Sequence, residues 1–480
     1  MRFYLIGHER INPILQLLIC LYPDEEHTQG DPAEGFEGEY VISELRAGEC
    51  HLVAEARDYH GHVFTVDCPV GMEAEDPAMN EYVRRAMYHL LLPQLEQAPV
   101  WGMLTGVKPA KLVRNMLARG MTPAEAATSL REDYYVTPRR ASLAVRSGAV
   151  SRNYKLQMGP RDIDLYIGIP FCPAKCSYCS FVSNDVRSWG HMVEPYVQAL
   201  LREVEGMGRV LRQTGREIKS IYIGGGTPSI LNEDQLARLL DAVHTHFDLG
   251  SLGEFTLEAG RPETITAEKL RIAAQGGVGR ISINPQTMNE EVLRGVGRLH
   301  TAQDIIDCYH MARETADFQI NMDLIAGLPG DDDQSLISSV EQVVALDPDN
   351  VTLHSMARKR GAPLRFGKTG TLAAETVDRC HDIIGQKGYV PYYLYRQKYI
   401  AGGLENTGFA KPGTECRYNV VMMEEIGDVA ALGSGGVTKL VYEDGHIERI
   451  TNPKYPIEYI QGPEKIEQSL HKLLKALENH

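Results

Sequence analysis

A regular alternation of short β-rich runs with amphipathic helices dominates the middle of this chain of 480 residues. The predicted strands are residues 164–169, 219–223, 254–258, 280–284, 319–324 and 350–354. Apolar residues recur at helical spacing in the gaps between them. The predicted helices are residues 193–204, 232–247, 266–274, 302–315 and 334–346. Strands that alternate with helices form right-handed βαβ units and a parallel sheet. Six units are fewer than the eight of a closed barrel, so we predict an α/β fold with an open, partial (β/α)6 barrel.

Polar and small residues follow the predicted strands at the points where those strands end. Three cysteines follow the first strand, and the run Gly-Gly-Gly-Thr-Pro at 224–228 follows the second. Glu258 ends the third strand, Gln286 follows the fourth, and Asp323 lies near the end of the fifth. The C-terminal ends of parallel barrel strands share one face, where active sites lie. We therefore expect these residues to meet at one mouth.

The three cysteines, Cys172, Cys176 and Cys179, are spaced closely enough to form one soft-ligand pocket. Thiolates suit zinc or iron–sulfur centres rather than oxygen-loving ions. A structural zinc site usually has a second ligand pair of similar spacing, and none is present because the remaining cysteines are scattered singly. A four-iron cluster held by three thiolates leaves one iron open for a ligand. The pattern favours such a cluster, with a zinc knuckle as the alternative.

The chain divides into three predicted regions. Residues 1–150 form an α+β module, with a small antiparallel unit over 39–55 and 62–68 and helices over 80–95, 108–119 and 123–131. Residues 160–370 form the partial barrel, and residues 147–160 are predicted to link the two. Residues 371–480 form a C-terminal α/β extension that covers the active site and ends in a helix over 463–479.

Charge and cysteine usage narrow the setting in which such a protein works. A formal net charge of -15 argues against a general nucleic-acid partner, which would need a basic surface. Nine cysteines, only three of them clustered, suit a reducing compartment. The apolar run 13–22 is shorter than the roughly 20 residues that span a bilayer, and it predicts a buried strand or helix. We expect a cytoplasmic protein without a membrane span.

The pattern Cys-x-x-x-Cys-x-x-Cys, with Tyr178 before its last cysteine, resembles the signature of the radical S-adenosylmethionine (SAM) enzymes. The glycine run after the second strand resembles their methionine-binding stretch. Over about 160–480 the resemblance narrows to the oxygen-independent coproporphyrinogen III oxidase-like superfamily, closest to its HemZ branch of coproporphyrinogen dehydrogenases. The segments that carry the narrower resemblance are 166–172, 258–262, 297–298, 323–329, 392–398, 404–413 and 416–419. The run Trp-Gly-Met-Leu-Thr-Gly-Val-Lys-Pro at 101–109 also fits that branch's extra domain.

This resemblance implies a [4Fe–4S] cluster and one or two molecules of SAM. The implied cluster ligands are Cys172, Cys176 and Cys179, and the implied catalytic residues are Tyr166, Gln286, Arg298 and Asp323. The implied SAM contacts are Tyr166, Tyr178, Gly225, Gly226, Thr227, Glu258, Gln286, Arg298, Asp323, Ala357 and Val437. Iron–sulfur potentials reach about −700 mV, and cleavage of a sulfonium needs this low end.

The resemblance also implies a reaction and its partners. The reaction is oxidative decarboxylation of coproporphyrinogen III propionates to vinyl groups, which gives protoporphyrinogen IX in oxygen-independent haem biosynthesis. Its partners are the tetrapyrrole and a low-potential electron donor such as flavodoxin or ferredoxin. A polyanionic tetrapyrrole needs cations, and the candidates are Arg358, Lys359, Arg360, Arg396, Lys398 and Lys411.

Two positions depart from the pattern of the coproporphyrinogen enzyme. Gly168 stands where that enzyme has histidine, and Phe181 stands where it has a further cysteine. The related haem chaperones share the phenylalanine. Three hypotheses therefore stand: a coproporphyrinogen dehydrogenase, a haem-trafficking chaperone, and another anaerobic radical enzyme acting on haem or a different substrate.

Overall fold

The structure, a computed structural model, describes residues 1–480 except 24, 49–50, 107, 358–371 and 399. An eleven-stranded sheet forms its centre, and its strands are numbered here in chain order. They are β1 Asp162–Ile169, β2 Glu217–Gly225, β3 Glu254–Glu258, β4 Arg280–Ser282, β5 Gln319–Ala326, β6 Asn350–Ser355, β7 Val390–Tyr395, β8 Asn406–Ala410, β9 Asp428–Leu432, β10 Val437–Val441 and β11 Ile447–Thr451. The sheet order is β7-β8-β6-β5-β4-β3-β2-β1-β9-β10-β11.

The six predicted barrel strands, β1 to β6, lie side by side in chain order, and every neighbouring pair is parallel. This confirms the open six-stranded prediction. The C-terminal part extends the sheet at both ends. On one side β8 pairs with β6 and β7 with β8, both antiparallel. On the other, β9 pairs parallel with β1 and continues into the antiparallel β10 and β11.

Five helices between the barrel strands match those predicted from the apolar spacing. They are Val193–Thr214, Glu233–His246, Ala267–Gln275, Ala302–Thr315 and Asp333–Ala345. The short helices Val186–Trp189 and Glu290–Gly295 were absent from the prediction. Strand β4 is shorter than predicted and ends at Ser282. Ile283 N–H still donates to Asn321 O at 2.9 Å. Pro285 then has no N–H for the ladder, and Gln286 has a positive φ of 68°, so only an isolated parallel bridge between Gln286 and Leu324 follows. The remaining helices of the C-terminal part are Ala374–Gln386, Arg417–Glu424, Pro456–Gln461 and Pro463–Glu478.

A separate five-stranded sheet forms the N-terminal part. Its longer strands are Arg2–Ile6, Tyr40–Ala47, Leu52–Asp58 and Val63–Asp67, and the helices Ile11–Leu21 and Met79–Leu91 contribute to its core. The antiparallel unit is as predicted, and the apolar run 13–22 is a helix. The strand Arg2–Ile6, parallel to Tyr40–Ala47, was absent from the prediction.

The predicted linker over 147–160 is wrong for most of its length, because the helix Pro138–Gln157 runs through it. Ser147, Gly148 and Ser151 are buried in this helix. A Cβ on Gly148 would lie 2.8 Å from Val113, so the small residue permits close packing of the helix Pro109–Ala118. Small polar residues suggest a linker in the sequence, but here they allow two helices to pack closely. The helix Pro138–Gln157 also packs against β7 and so joins the N-terminal part to the central sheet.

Candidate active site

The predicted residues meet around one cavity of about 310 Å³ at the C-terminal ends of the barrel strands. The predicted residues that line it are Cys172, Cys176, Tyr178, Cys179, Gly225, Gly226, Thr227, Glu258, Gln286, Arg298, Asp323 and Ala357. Parallel strands bring their C-terminal ends to one face, which explains why residues up to 185 positions apart converge. The mouth predicted from the sequence is present.

The cysteine loop follows β1 and is held from both sides. Thr227 Oγ1 donates to Cys172 Sγ at 3.5 Å, and Arg261 Nη2 donates to Cys176 Sγ at 2.9 Å. The backbone N–H of Ser177 donates to the carbonyl of Val296 at 3.0 Å. These contacts fix the positions of the Cys172 and Cys176 sulfurs at the cavity.

The three cysteines of the loop all line the same cavity. A structural zinc site usually has four protein ligands. A four-iron cluster held by three thiolates instead leaves one iron open for a ligand. Three thiols that line one cavity are the donor set that such a cluster needs.

The glycine turn after β2 lies directly against the end of β1. Gly226 N–H donates to Ile169 O and Thr227 N–H to Phe171 O, both at 2.8 Å. A Cβ on Gly226 would lie 2.5 Å from Phe171 O, and Gly225 has a φ of +116°. Only glycine permits both the close approach and the backbone conformation. The turn thus forms a cavity wall of exposed backbone beside the cysteine loop.

Two half-buried carboxylates in the cavity, Glu258 and Asp323, have opposite pKa shifts. Burial raises the pKa of Glu258 to about 7, and the Asp323 charge adds to this, although Tyr222 Oη donates to Glu258 at 2.6 Å. Burial also opposes ionisation of Asp323, but His354 and an Asn321 hydrogen bond of 2.8 Å keep its pKa below the usual value. Asp323 is therefore anionic at neutral pH, whereas the Glu258 carboxyl gains or loses its proton near pH 7.

Gln286 and Arg298 are held by backbone groups. Gln286 has a left-handed backbone, and its N–H and C=O bond to Asp323 O at 2.9 Å and Ile325 N–H at 2.8 Å. A non-glycine residue in this region costs about 1–3 kcal/mol, and such strain is concentrated at functional sites. Arg298 Nη1 donates to the carbonyls of Asn284 at 2.7 Å and Gly260 at 3.2 Å. The Gln286 backbone and the Arg298 guanidinium are thus fixed in the cavity wall.

Two predicted SAM contacts, Tyr166 and Val437, lie outside the cavity lining. Tyr166 lies behind Tyr222, with ring centroids 6.4 Å apart, and Tyr222 is the ring that faces the cavity. Val437 begins β10, where it pairs with Thr451, and it is not among the lining residues. Ala357 does line the cavity and bridges to Ile400.

Of the six cations predicted to bind the tetrapyrrole, three lie in the described part of the chain. Arg358, Lys359 and Arg360 lie outside the described residues. The other three do not line the cavity. Arg396 is buried over the ring of Trp101 at 5.4 Å, Lys398 is exposed, and Lys411 pairs with Asp347 at 2.8 Å.

Sequence reasoning missed two groups of cavity residues. Arg261 is part of the quoted run 258–262, but only its contact with Cys176 reveals a role. His354, Tyr395 and Asn406 come from β6, β7 and β8. His354 Nε2 lies 3.8 Å from Asp323 Oδ2, and its Nδ1 lies 3.3 Å from Asn406 Oδ1. Tyr395 and Asn406 lie in the segments 392–398 and 404–413 that carry the family resemblance, and His354 ends the predicted strand 350–354.

Comparison with known proteins agrees with this geometry. Residues 166–343 match the Radical SAM superfamily. The chain is 36% identical over 391 residues to the oxygen-independent coproporphyrinogen-III oxidase-like protein HemZ of Bacillus subtilis (strain 168), covering 79% of this chain and 77% of that protein. The chain belongs to the HemZ branch of the radical SAM superfamily.

Other relatives of this HemZ-branch protein have different names. It is 31% identical over 307 residues to the heme chaperone HemW of Escherichia coli (strain K12), covering 62% of this chain and 76% of HemW. The solved structure of coproporphyrinogen III oxidase HemN from Escherichia coli matches with a TM-score of 0.52 and 23% identity, covering 67% of this chain and 73% of that one. The HemN likeness establishes the shared fold.

Family membership establishes the cofactors of this HemZ-branch protein as a [4Fe–4S] cluster and SAM. The residues present fit them, because three thiols, a glycine turn and two half-buried carboxylates line the same cavity. Across the described parts of the chain, no helix is both long and apolar enough to cross a membrane.

Proposed function

We propose that this protein is a radical SAM enzyme that decarboxylates the propionates of coproporphyrinogen III to vinyl groups. The observation that carries the proposal is the continuity of one cavity. Its lining passes from the cysteine loop, through Glu258 and Asp323, to the aromatic wall of Tyr393 and Tyr395. A cofactor at the first end and a tetrapyrrole at the second would share one space.

Each cavity residue has a proposed task. Cys172, Cys176 and Cys179 hold the cluster, which when bound supplies the electron that cleaves SAM to methionine and the 5′-deoxyadenosyl radical. The backbone of Gly225 to Thr227 binds the methionine part, and Glu258 accepts from its ammonium. Gln286, Arg298 and Asp323 bind the polar groups of SAM, in one or two molecules. Tyr166 supports Tyr222 from behind.

The proposed reaction balances for each propionate. Its β-carbon loses a hydrogen atom to the 5′-deoxyadenosyl radical, which becomes 5′-deoxyadenosine. The bond to the carboxylate then breaks, carbon dioxide leaves, and the vinyl group forms. One electron remains and passes to a one-electron acceptor. One SAM and one electron from a low-potential donor, such as flavodoxin or ferredoxin, are used per propionate.

The test is an anaerobic assay with the reconstituted protein, a reductant, SAM and coproporphyrinogen III, followed by mass spectrometry. We expect loss of two carboxyl groups per tetrapyrrole and about two 5′-deoxyadenosines per product. SAM cleavage without decarboxylation under these conditions would reject this substrate while leaving the cofactor assignment in place.

A second candidate function is haem binding without decarboxylation. Phe181 favours it, since its side chain is 64% exposed beside the cavity, where the resemblance places a cysteine in the coproporphyrinogen enzyme. The chaperone name of the HemW relatives also supports it. Spectroscopic titration with haem tests this candidate: a stoichiometric complex, together with no product in the anaerobic assay, would favour the chaperone.

Glu258 predicts a pH dependence of SAM binding. Its pKa of about 7 means that the carboxyl is neutral below that pH and anionic above it. An anion binds the SAM ammonium, so affinity should rise as pH increases through about 7, by at most about tenfold per pH unit. Glu258→Gln should remove this dependence and weaken binding at pH 8 by about 10- to 100-fold. Equilibrium dialysis with the oxidised, cluster-loaded protein measures both effects.

Glu268→Gln is the matched control for this prediction, because Glu268 is a half-exposed carboxylate on the helix Ala267–Gln275. It should retain the native pH profile. The assignment of Glu258 to the SAM ammonium would be wrong if Glu258→Gln retained both the affinity at pH 8 and its increase with pH.

A further inference from the structure

Trp101 makes a buried polar contact between the N-terminal part and the segment that leads into β8. Its indole Nε1 donates to Glu405 Oε2 at 2.8 Å across 304 positions of sequence. Arg140, on the helix Pro138–Gln157, places its Nε 3.1 Å from the same carboxylate oxygen. Trp101, Arg140 and Glu405 are each only 1% exposed. Two donors from the N-terminal part therefore converge on one buried anion.

Arg396 makes a third contact with the same segment. Arg396, which leads out of β7, lies with its guanidinium over the Trp101 ring at 5.4 Å. It donates to the carbonyl of Leu104 and, at 3.2 Å, to the carbonyl of Gly403. The turn that begins at Trp101 is thus tied to the chain on both sides of Leu404.

Glu405 directly precedes a residue of the cavity wall. Asn406 Oδ1 accepts from Ser355 N–H at 3.1 Å and lies 3.3 Å from His354 Nδ1. His354 Nε2 in turn lies 3.8 Å from Asp323 Oδ2. Ser355 Oγ also donates to the carbonyl of Glu405 at 2.8 Å. A short chain of contacts therefore runs from Trp101 through Glu405, Asn406 and His354 to Asp323.

We propose that Trp101, Arg140 and Arg396 are positioning residues, which set Asn406 and His354 against Asp323 and so make the N-terminal part a component of the SAM site. The inference rests on the proposed contact of Asp323 with SAM. Apolar packing would hold the two parts together but would leave the orientation of this strand end free. Directional hydrogen bonds to a buried carboxylate fix that orientation, and burying the charge is costly without such partners.

Trp101→Phe tests the proposal, because it keeps an aromatic ring and removes the indole N–H. Trp189→Phe is the matched control, since the chain has two tryptophans and Trp189 is 39% exposed and outside the cavity. Both variants are reconstituted anaerobically as full chains. Iron content, the unfolding midpoint and the SAM dissociation constant of the folded protein are then measured.

We expect Trp101→Phe to keep its cluster iron and to raise the SAM dissociation constant about five- to tenfold, which is less than the full effect of one hydrogen bond to a charged group because Trp101 acts on SAM through other residues. Trp189→Phe should remain within twofold of the native protein. A merely structural role would lower the yield and unfolding midpoint but leave the affinity per folded molecule unchanged. Native affinity in folded Trp101→Phe would overturn the proposal.

Two further measurements keep the test decisive. If Trp101→Phe does not fold, Trp189→Phe serves as a reporter, because Trp101 is then the sole indole. Coupling is reciprocal, so SAM should change the Trp101 emission, with a half-maximal change at the SAM dissociation constant. An unchanged emission would overturn the proposal. Asp323→Asn distinguishes failure of the Asp323 assignment from failure of the positioning role. Native SAM affinity in Asp323→Asn would refute the contact of Asp323 with SAM. Weakened affinity in Asp323→Asn, together with native affinity in Trp101→Phe, would refute only the positioning role.

Discussion

Replacing Cys176 with alanine should remove the iron–sulfur cluster and SAM cleavage together. Cys176 is buried at the cavity, and its sulfur accepts from Arg261 Nη2 at 2.9 Å. With one of three thiolates missing, two protein ligands remain for a cluster that already has an open iron. We expect cluster iron and sulfide to fall to background, with no 5′-deoxyadenosine formed under reducing conditions. Metal analysis, visible absorbance and chromatography of the products measure these losses.

Cys308→Ala is the control for this experiment. Cys308 is also a buried thiol, but it lies in the helix Ala302–Thr315 and does not line the cavity. It should retain the cluster and turnover. Retention of cluster and turnover by Cys176→Ala, or loss of both in Cys308→Ala, would contradict the assignment of the cluster to the loop after β1.

Replacing Glu405 with alanine should cause a large loss of stability. The variant leaves the Arg140 guanidinium buried without its main partner, which lies 3.0 Å away in the native protein. Breaking a buried ion pair from one side costs about 3–5 kcal/mol. We expect the lower end of that range for the free energy of unfolding, because Arg140 also contacts Asp378. Urea unfolding of the cluster-loaded protein, monitored by circular dichroism, gives the value.

A surface pair provides the comparison. Arg209 and Glu205 form an exposed pair at 2.8 Å on the helix Val193–Thr214, and both side chains are more than half exposed. Arg209→Ala should change stability by less than about 1 kcal/mol, as is usual for exposed pairs. If Glu405→Ala unfolded at the same urea concentration as Arg209→Ala, the buried pair would contribute little to joining the two parts.

The barrel was predictable because its signals are local. Each predicted strand is a short apolar run followed by a helix with apolar residues at regular spacing, and topology rules then fix the parallel order. The cavity followed from the same rule, since Glu258, Gln286 and Asp323 all end or follow strands. Their convergence required no knowledge of distant contacts.

The remaining features depend on contacts between distant segments. Nothing local marks β9 as the parallel neighbour of β1, because the two strands are more than 250 residues apart. His354 ends a predicted strand, but its contact with Asn406 depends on the antiparallel pairing of β8 with β6. The small residues Ser147 and Gly148 suggest a linker until the packed helix Pro109–Ala118 is known. Tertiary packing, rather than local propensity, decides these positions.

The position of β9 has a consequence for synthesis on the ribosome. Strand β1 pairs with β2 on one side, but its other edge is covered only by β9, which begins at Asp428. Because synthesis proceeds at about 5–20 residues per second, that edge stays uncovered for roughly 13–50 s after β1 has been made. An uncovered strand edge can pair with other chains. Nascent chains that stop before β9 should therefore aggregate or need a chaperone, whereas chains that reach β11 should not.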